Sequence, residues 1–482
     1  MQARLLPCIV LLIFAPMLAV AQDAPEKHWQ KVMSGERKVG YVEHTRRVAD
    51  GRVFSSEVMT LELATSATRQ TYVARLETES TSDGALLRLI RESKTPEGHT
   101  LIDARRTGEN ELTVVIGTGA GKHTQLLPNT GPLRSGEAAR AWLKAAGAGA
   151  AQEPLSYQTF DPNRLGIVEV RLERVDTATP PVRVRRVLRG GDRATVALLT
   201  LNENGEVIDE TMRLGATTLR LTGSTEGEAR ARGERLNHVA AQMQKSPYRI
   251  PGRDMRAKIR FGFDHHGKPK QLPVGGGQRS WSDAQTTWIQ VCASCPLDVE
   301  QLGDAERART LAATPWFNFE DVALSRRARR LAGGTSQPDR KMQRLTAFVR
   351  GHMTAKEIDM LGYGTALEAY QSRRGDCTEY AVLLAAMGRA AGVPTRVVSG
   401  LVYARHFENQ RHVFVPHAWV HAWTGEGWES FDAALGHFDS THLAFAASDD
   451  GNPARLFAGI SLAHEWQLRS AARVVPRPPA AN

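Results

Sequence analysis

The chain has 482 residues and a formal net charge of +10, which is too long for one ordinary domain and basic without being concentrated, so two or three domains are expected. The charge falls in short clusters such as Arg183-Val184-Arg185-Arg186 and Arg326-Arg327-Ala328-Arg329-Arg330. These read first as solvated faces, with contact to an anionic envelope polymer as the alternative. No nucleic-acid motif is present, and beyond the N-terminus no stretch is apolar enough to span a bilayer, which argues against nucleic acid as a partner and against stable membrane insertion.

Residues 1–21 combine Arg4, an apolar run from Leu5 to Val20 and an Ala19-Val20-Ala21 exit. That pattern is a secretory signal peptide cleaved after Ala21, and loss of Arg4 takes the charge from +10 to about +9. No cysteine adjoins the site, so no lipid anchor is expected, and a periplasmic or secreted location follows. Residues 22–245 read as an antiparallel β-rich domain. Strands are expected at Val53–Leu63, Gln70–Glu79, Leu86–Glu92, Leu112–Ile116, Val168–Arg174 and Thr195–Asn202, with turns at Asp50-Gly51 and Asp83-Gly84. Gly136–Ala151 is the one helical stretch within it, and Glu226–Gln244 reads as a charged helix at its end. With no cysteine and no clustered histidine and carboxylate, this domain is a binding or positioning module or a spacer.

Residues 246–318 form a short β section and linker that carries Cys292-Ala293-Ser294-Cys295. In an oxidising compartment a local disulfide is the first reading of these two cysteines, with a zinc site shared with His265 and His266 as the alternative. Gly275-Gly276-Gly277 precedes no helix, so it reads as a flexible loop rather than a phosphate cradle, and no cofactor is called for. Helices are expected at Asp321–Leu331 and Pro338–Met353, an edge strand at Leu456–Ile460, and a loose tail over 466–482 around Pro476-Arg477-Pro478-Pro479.

The remaining stretch, 319–465, holds the chemistry. In Arg374-Gly375-Asp376-Cys377-Thr378-Glu379-Tyr380, Asp376 is a good N-cap and Glu379 completes a capping box. Tyr380, Leu383, Leu384, Met387 and Ala391 recur at helical spacing, and Gly392 before Pro394 stops the helix. Cys377 therefore sits in the first turn of a helix with one buried face, where the positive end of the helix favours thiolate. Because Cys8 leaves with the signal peptide and Cys292 and Cys295 are read as a pair, Cys377 is expected to be free.

A strand is expected at Thr395–Tyr403. Pro416 to Trp423, the turn Thr424-Gly425-Glu426-Gly427, and Trp428 to Asp432 then read as a β-hairpin. If Trp423 pairs with Trp428, Asp432 lies opposite Trp419. His417, Trp419, His421 and Asp432 then share one face. Asp432 is diagonal to both histidines, and the register alone leaves them tied.

Gly-Asp-Cys on a helix, then His417-Ala418-Trp419, then Gly427-Trp428 with Asp432 shortly after, resembles the transglutaminase-like superfamily over roughly Thr335 to Asp450. The resemblance implies an α+β, papain-like core, with the cysteine helix packed on an antiparallel sheet. It further implies a catalytic triad of Cys377, His417 and Asp432. Where the family often has an acidic residue after Trp-Val, this chain has His421. Two functions are in view. One is an exported thiol enzyme acting on amide bonds of protein or peptide substrates, by hydrolysis or acyl transfer through a thioester, with no cofactor or metal. The other is a non-catalytic envelope module that uses the same fold for binding, with the β-rich domain touching a cell-envelope partner.

Overall fold

The computed structural model describes residues 24–474 except 65–68, 95–98, 119–120, 129–130, 152, 176–180, 191–192, 215–216, 266–270, 284, 297 and 357–363. The signal-peptide reading, His266 and the Pro476–Pro479 motif lie outside the described residues. Among the described residues, fourteen antiparallel strands form one sheet in the N-terminal region. Eight follow each other from Glu26 to Pro128 and six from Leu155 to Ser224. The last, Thr217–Ser224, pairs with the first, Glu26–Ser34, with Val32 opposite Leu221.

Alternating side chains turn inward along these strands. Val182, Val184 and Val187 are buried while Arg183 and Arg185 face water. The segment Leu133-Arg134 links two strands far apart in the sheet: Leu86 N donates to Leu133 O (2.8 Å) and Arg134 N donates to Gln158 O (2.8 Å). The expected helix at Gly136–Ala151 is a 3-10 turn, Gly136–Ala139, running into a helix Arg140–Gly147 that packs beside Leu172, Val182 and Leu199. Glu226–Gln244 is not one charged helix. It breaks into Glu226–Arg230 and His238–Ala241, each with its own side-chain N-cap, Thr225 and Asn237. Between them Leu236 bridges to Leu63 of the sheet, and that tertiary pairing interrupts the helix.

The C-terminal region is built round the helix Cys377–Ala390. The sequence reading gave it one buried face; in the structure every residue from Glu379 to Ala390 is buried. Helices Val322–Ala332, Pro338–His352 and Ala366–Ser372 cover one side, through Leu324, Met342, Leu345 and Ala369. The strands Thr395–Phe407 and Gln410–Trp423 cover the other, through Val397, Ala418 and Val420. Gln410–Trp423 is long enough to pair with Gln244–Lys245 at one end and with Trp428–Phe431 at the other. Leu443–Ser448 flanks the far side of Thr395–Phe407.

Two expectations are corrected here. Residues 456–460 are not an edge strand but part of a helix, Pro453–Glu465, seated on the sheet. The tail expected to be loose from 466 forms a strand, Gln467–Arg473, which pairs with Ile259–Asp264 in a four-stranded sheet also containing Gln278–Ser282 and Thr286–Val291. That sheet, drawn mostly from the stretch read as a short β section and linker, packs Phe261, Phe263 and Ile289 against Leu401, Phe414, Phe445 and Trp466 in one core. The driving force is burial of aromatic area that neither sheet covers alone. Cys292 and Cys295 are disulfide-bonded, and Cys377 is a free cysteine.

Candidate active site

Gly375, at φ +141°, sets the entry to the cysteine helix. A Cβ there would lie 2.5 Å from Glu379 Cβ, so the residue before Asp-Cys has to be glycine. Asp376 then caps the helix: Thr378 N donates to Asp376 Oδ1 (2.7 Å), and Asp376 N donates to Glu379 Oε2 (2.9 Å). Glu379 Oε1 also accepts from Gly364 N (2.9 Å), which ties the preceding loop to the helix start. The sulfur of Cys377 therefore leaves the first turn facing mid-strand, beside Ala418.

The hairpin adopts the register with Trp423 opposite Trp428 and Val420 opposite Phe431. Backbone register left His417 and His421 tied; side-chain geometry separates them. His417 Nε2 lies 2.7 Å from Asp432 Oδ2, and both residues are buried. Asp432 Oδ1 accepts from Leu435 N (2.9 Å), so the carboxylate is held at both oxygens. His421 instead faces Arg396, whose Nη2 lies 3.5 Å from His421 Nδ1, and packs under Gly276. Burial and the Arg396 cation push His421 well below the usual imidazole range, so it stays neutral.

Cys377 and His417 line one small cavity, of about 10 Å³, with Thr378, Ser399 and Ala418. Its remaining wall is Leu456, Phe457 and Ile460 of the helix Pro453–Glu465. That space holds roughly one water molecule. Burial pushes the Cys377 thiol well above its usual range, and the carboxylates of Asp376, Glu379 and Asp432 push the same way. The Ala418 N–H opposes them. The sequence reading, in which the helix N-terminus lowers the thiol, is opposed here by loss of water.

Sequence reasoning missed His442 and Asp439. His442 Nε2 lies 3.1 Å from the same Asp432 Oδ2 that meets His417, and its Nδ1 lies 3.2 Å from Asp439 Oδ1. Burial works against its protonation, but the two carboxylates raise it to about 9. Asp432 is held well below the usual carboxylate range because His417 and His442 outweigh its burial. Gly400 allows this convergence: a Cβ there would lie 1.8 Å from Leu443 O, so only glycine opposite His417 lets the strand bearing Leu443 come close. Nothing local marks Asp439-Ser440-Thr441-His442; its role depends on that inter-strand approach. His417, Asp432 and His442 place three donor atoms within 4.8 Å of one another. Both Nε2 atoms are already directed at Oδ2 as hydrogen-bond partners, which suits a proton-holding relay better than a metal cage.

Trp288 sits in the four-stranded sheet under Arg260. Trp419 stacks on His417, with ring centres 6.1 Å apart, and Trp423 meets Trp428 edge-on.

A helix-borne cysteine facing a strand-borne histidine with a buried aspartate behind it is the layout of a papain-like thiol fold, and residues 325–433 match the transglutaminase-like superfamily. The C-terminal part of the chain thus contains a transglutaminase-like domain. Among solved structures, the chain is similar to a candidate cysteine protease from Cytophaga hutchinsonii (14% identity, TM-score 0.27, 46% of this chain and 84% of that one). It is also similar to the periplasmic domain of TgpA from Pseudomonas aeruginosa bound to ethylmercury (18% identity, TM-score 0.29, covering 47% and 82%). A β-barrel-like protein of a domain of unknown function from Brucella abortus is similar at 12% identity and TM-score 0.33, covering 42% of this chain and 96% of that one. No curated protein matches the chain.

Proposed function

We propose that the chain is an exported thiol enzyme that acts on amide bonds of protein or peptide substrates through Cys377, His417 and Asp432. The observation that carries this reading is His417, fixed through Nε2 to Asp432 at 2.7 Å while lining the same cavity as Cys377. With Nε2 committed, the Nδ1 edge is the one left to exchange a proton with the thiol. The thiolate attacks the amide carbonyl, the C–N bond breaks, and the imidazolium gives its proton to the departing amine. A thioester remains on Cys377, which passes the acyl group to water or to an amine. The Cys377 backbone N–H, at the positive end of its helix, is the candidate donor to the oxyanion.

Export rests on the first 21 residues of the sequence; an exported β-rich domain would be placed to contact a cell-envelope partner, or would serve as a spacer. No helix among the described residues is long and apolar enough to cross a membrane, which says nothing of strands. One observation favours the alternative, a binding module without turnover: the cavity at Cys377 is too small for an amide segment. Intact-mass spectrometry after incubation with mixed peptides and hydroxylamine decides between them. Turnover to hydroxamates that is lost in Cys377→Ser supports the enzyme, and identical behaviour of the two proteins removes it.

A further inference from the structure

His442 has no part in the triad, yet it is fully buried against it. Asp432 Oδ2 stands between two imidazoles, 2.7 Å from His417 Nε2 and 3.1 Å from His442 Nε2. Behind His442, Nδ1 meets two acceptors, Asp439 O at 3.1 Å and Oδ1 at 3.2 Å, and one longer donor, Asp439 N at 3.3 Å. Asp439 is itself fixed: Oδ1 accepts from Thr441 N (2.8 Å) and Thr441 Oγ1 (2.6 Å). The rings of Trp419 and Phe438, 5.3 and 4.8 Å from that of His442, close the remaining sides. The charged or titratable neighbours are Asp432 and Asp439 in direct contact and His417 at 5.6 Å between ring centres. His437 lies beyond Asp439, at 3.7 Å from its Oδ2. An imidazole with carboxylates at both ends satisfies both only when both nitrogens carry protons.

We infer that His442 is a positioning residue of this site, a buried imidazolium that locks Asp432 from the side opposite His417 and sets the charge against which His417 titrates. The inference rests on the thiol-enzyme reading above. Without His442 the Asp432 carboxylate would face His417 with its full charge, hold the His417 proton too tightly, and have room to turn. With it, Asp439, His442 and Asp432 carry alternating charge, and the carboxylate is fixed from the side away from His417. The raised proton affinity of His442 agrees with this arrangement.

The test follows His417 by NMR in the full mature chain labelled at histidine Cε1, alongside the pH dependence of Cys377 alkylation by iodoacetamide. His442→Gln keeps an N–H donor toward Asp432 and removes the charge. Coulomb's law at an effective dielectric of about 20, over the 5.6 Å between rings, puts the rise in the His417 midpoint at about two pH units. The alkylation profile should move the same way. Should the single variant fail to fold, Asp439→Asn/His442→Gln removes the buried charges together and should give a smaller rise in the same direction. A folded variant whose His417 midpoint stays within about 0.3 unit of wild type overturns the inference, as does a neutral His442 signal at pH 7 in the wild type. If instead Cys377 alkylation is indifferent to His417→Ala, the thiol-enzyme reading itself has failed, a separate outcome from failure of the His442 role.

Discussion

The wall that Leu456, Phe457 and Ile460 make over Cys377 should control access to the thiol, and Ile460→Ala tests it. The cavity there is about 10 Å³ and Cys377 is half-buried, so the wall is expected to slow iodoacetamide until the helix Pro453–Glu465 lifts. Lifting it exposes Leu456 and Ile460, both now buried, at roughly 1.5–3 kcal/mol each. It also breaks the bond that Ser399 Oγ donates to Leu456 O (2.8 Å), for about 1 kcal/mol more. The sum, roughly 4–7 kcal/mol, corresponds to an open fraction on the order of 10⁻³ to 10⁻⁵. Ile460 packs against Val239 and Phe457, so truncation removes about 2 kcal/mol of the closing energy. Cys377 alkylation should then speed up roughly 30-fold. The assay is the second-order rate of Cys377 alkylation at fixed pH, read by peptide mass spectrometry. Leu221→Ala, in the distant sheet, serves as a control of comparable global cost. A wild-type rate equal to that of a free peptide thiol, or equal rates in Ile460→Ala and wild type, would refute the reasoning.

His417→Ala should abolish neutral-pH alkylation of Cys377 with the fold retained by circular dichroism, because the imidazole that pairs with Asp432 is gone. His421→Ala should leave the rate within a few fold and lower stability by roughly 1–3 kcal/mol in urea, since His421 is a neutral, buried partner of Arg396. His442 gives stability a pH slope. Its proton affinity is raised in the folded state to about 9, above the unfolded value near 6.5, so this stabilisation is whole below about pH 6.5 and is lost as pH rises through about 9. Urea midpoints should fall over that window and flatten in Asp439→Asn/His442→Gln; a wild type with no fall there would count against a buried imidazolium. Arg389 donates to Ala312 O (2.6 Å), Thr395 O (2.6 Å) and Asp449 O (2.5 Å) while lying over the Phe317 ring, and burial lowers its proton affinity to about 9. Arg389→Met should cost at least about 3 kcal/mol in denaturant unfolding by orphaning those carbonyls, and a near-neutral result would show that they re-pair.

What the sequence determined by itself is local. Alternation in the N-terminal strands follows from the two-residue period of a strand, so strands such as Leu112–Ile116 were legible, with Leu112, Val114 and Ile116 turned inward. The start of the cysteine helix was legible because Gly375, Asp376 and Glu379 act within one turn. The Trp423–Trp428 register was legible because a short turn fixes it. Tertiary structure decided the rest. That the cysteine helix is buried all round depends on three other helices, none of which its own periodicity reports. That Asp432 meets His417 rather than His421 rests on where its side chain turns after its strand ends, and on Arg396 holding the other histidine. The segment 467–473 became a strand because Ile259–Asp264, some two hundred residues earlier, left an edge to pair with. His442 and the apolar wall over Cys377 were invisible for the same reason. Their contacts join elements distant in sequence, and such contacts form only when burial of shared apolar surface outweighs the entropy of closing long loops.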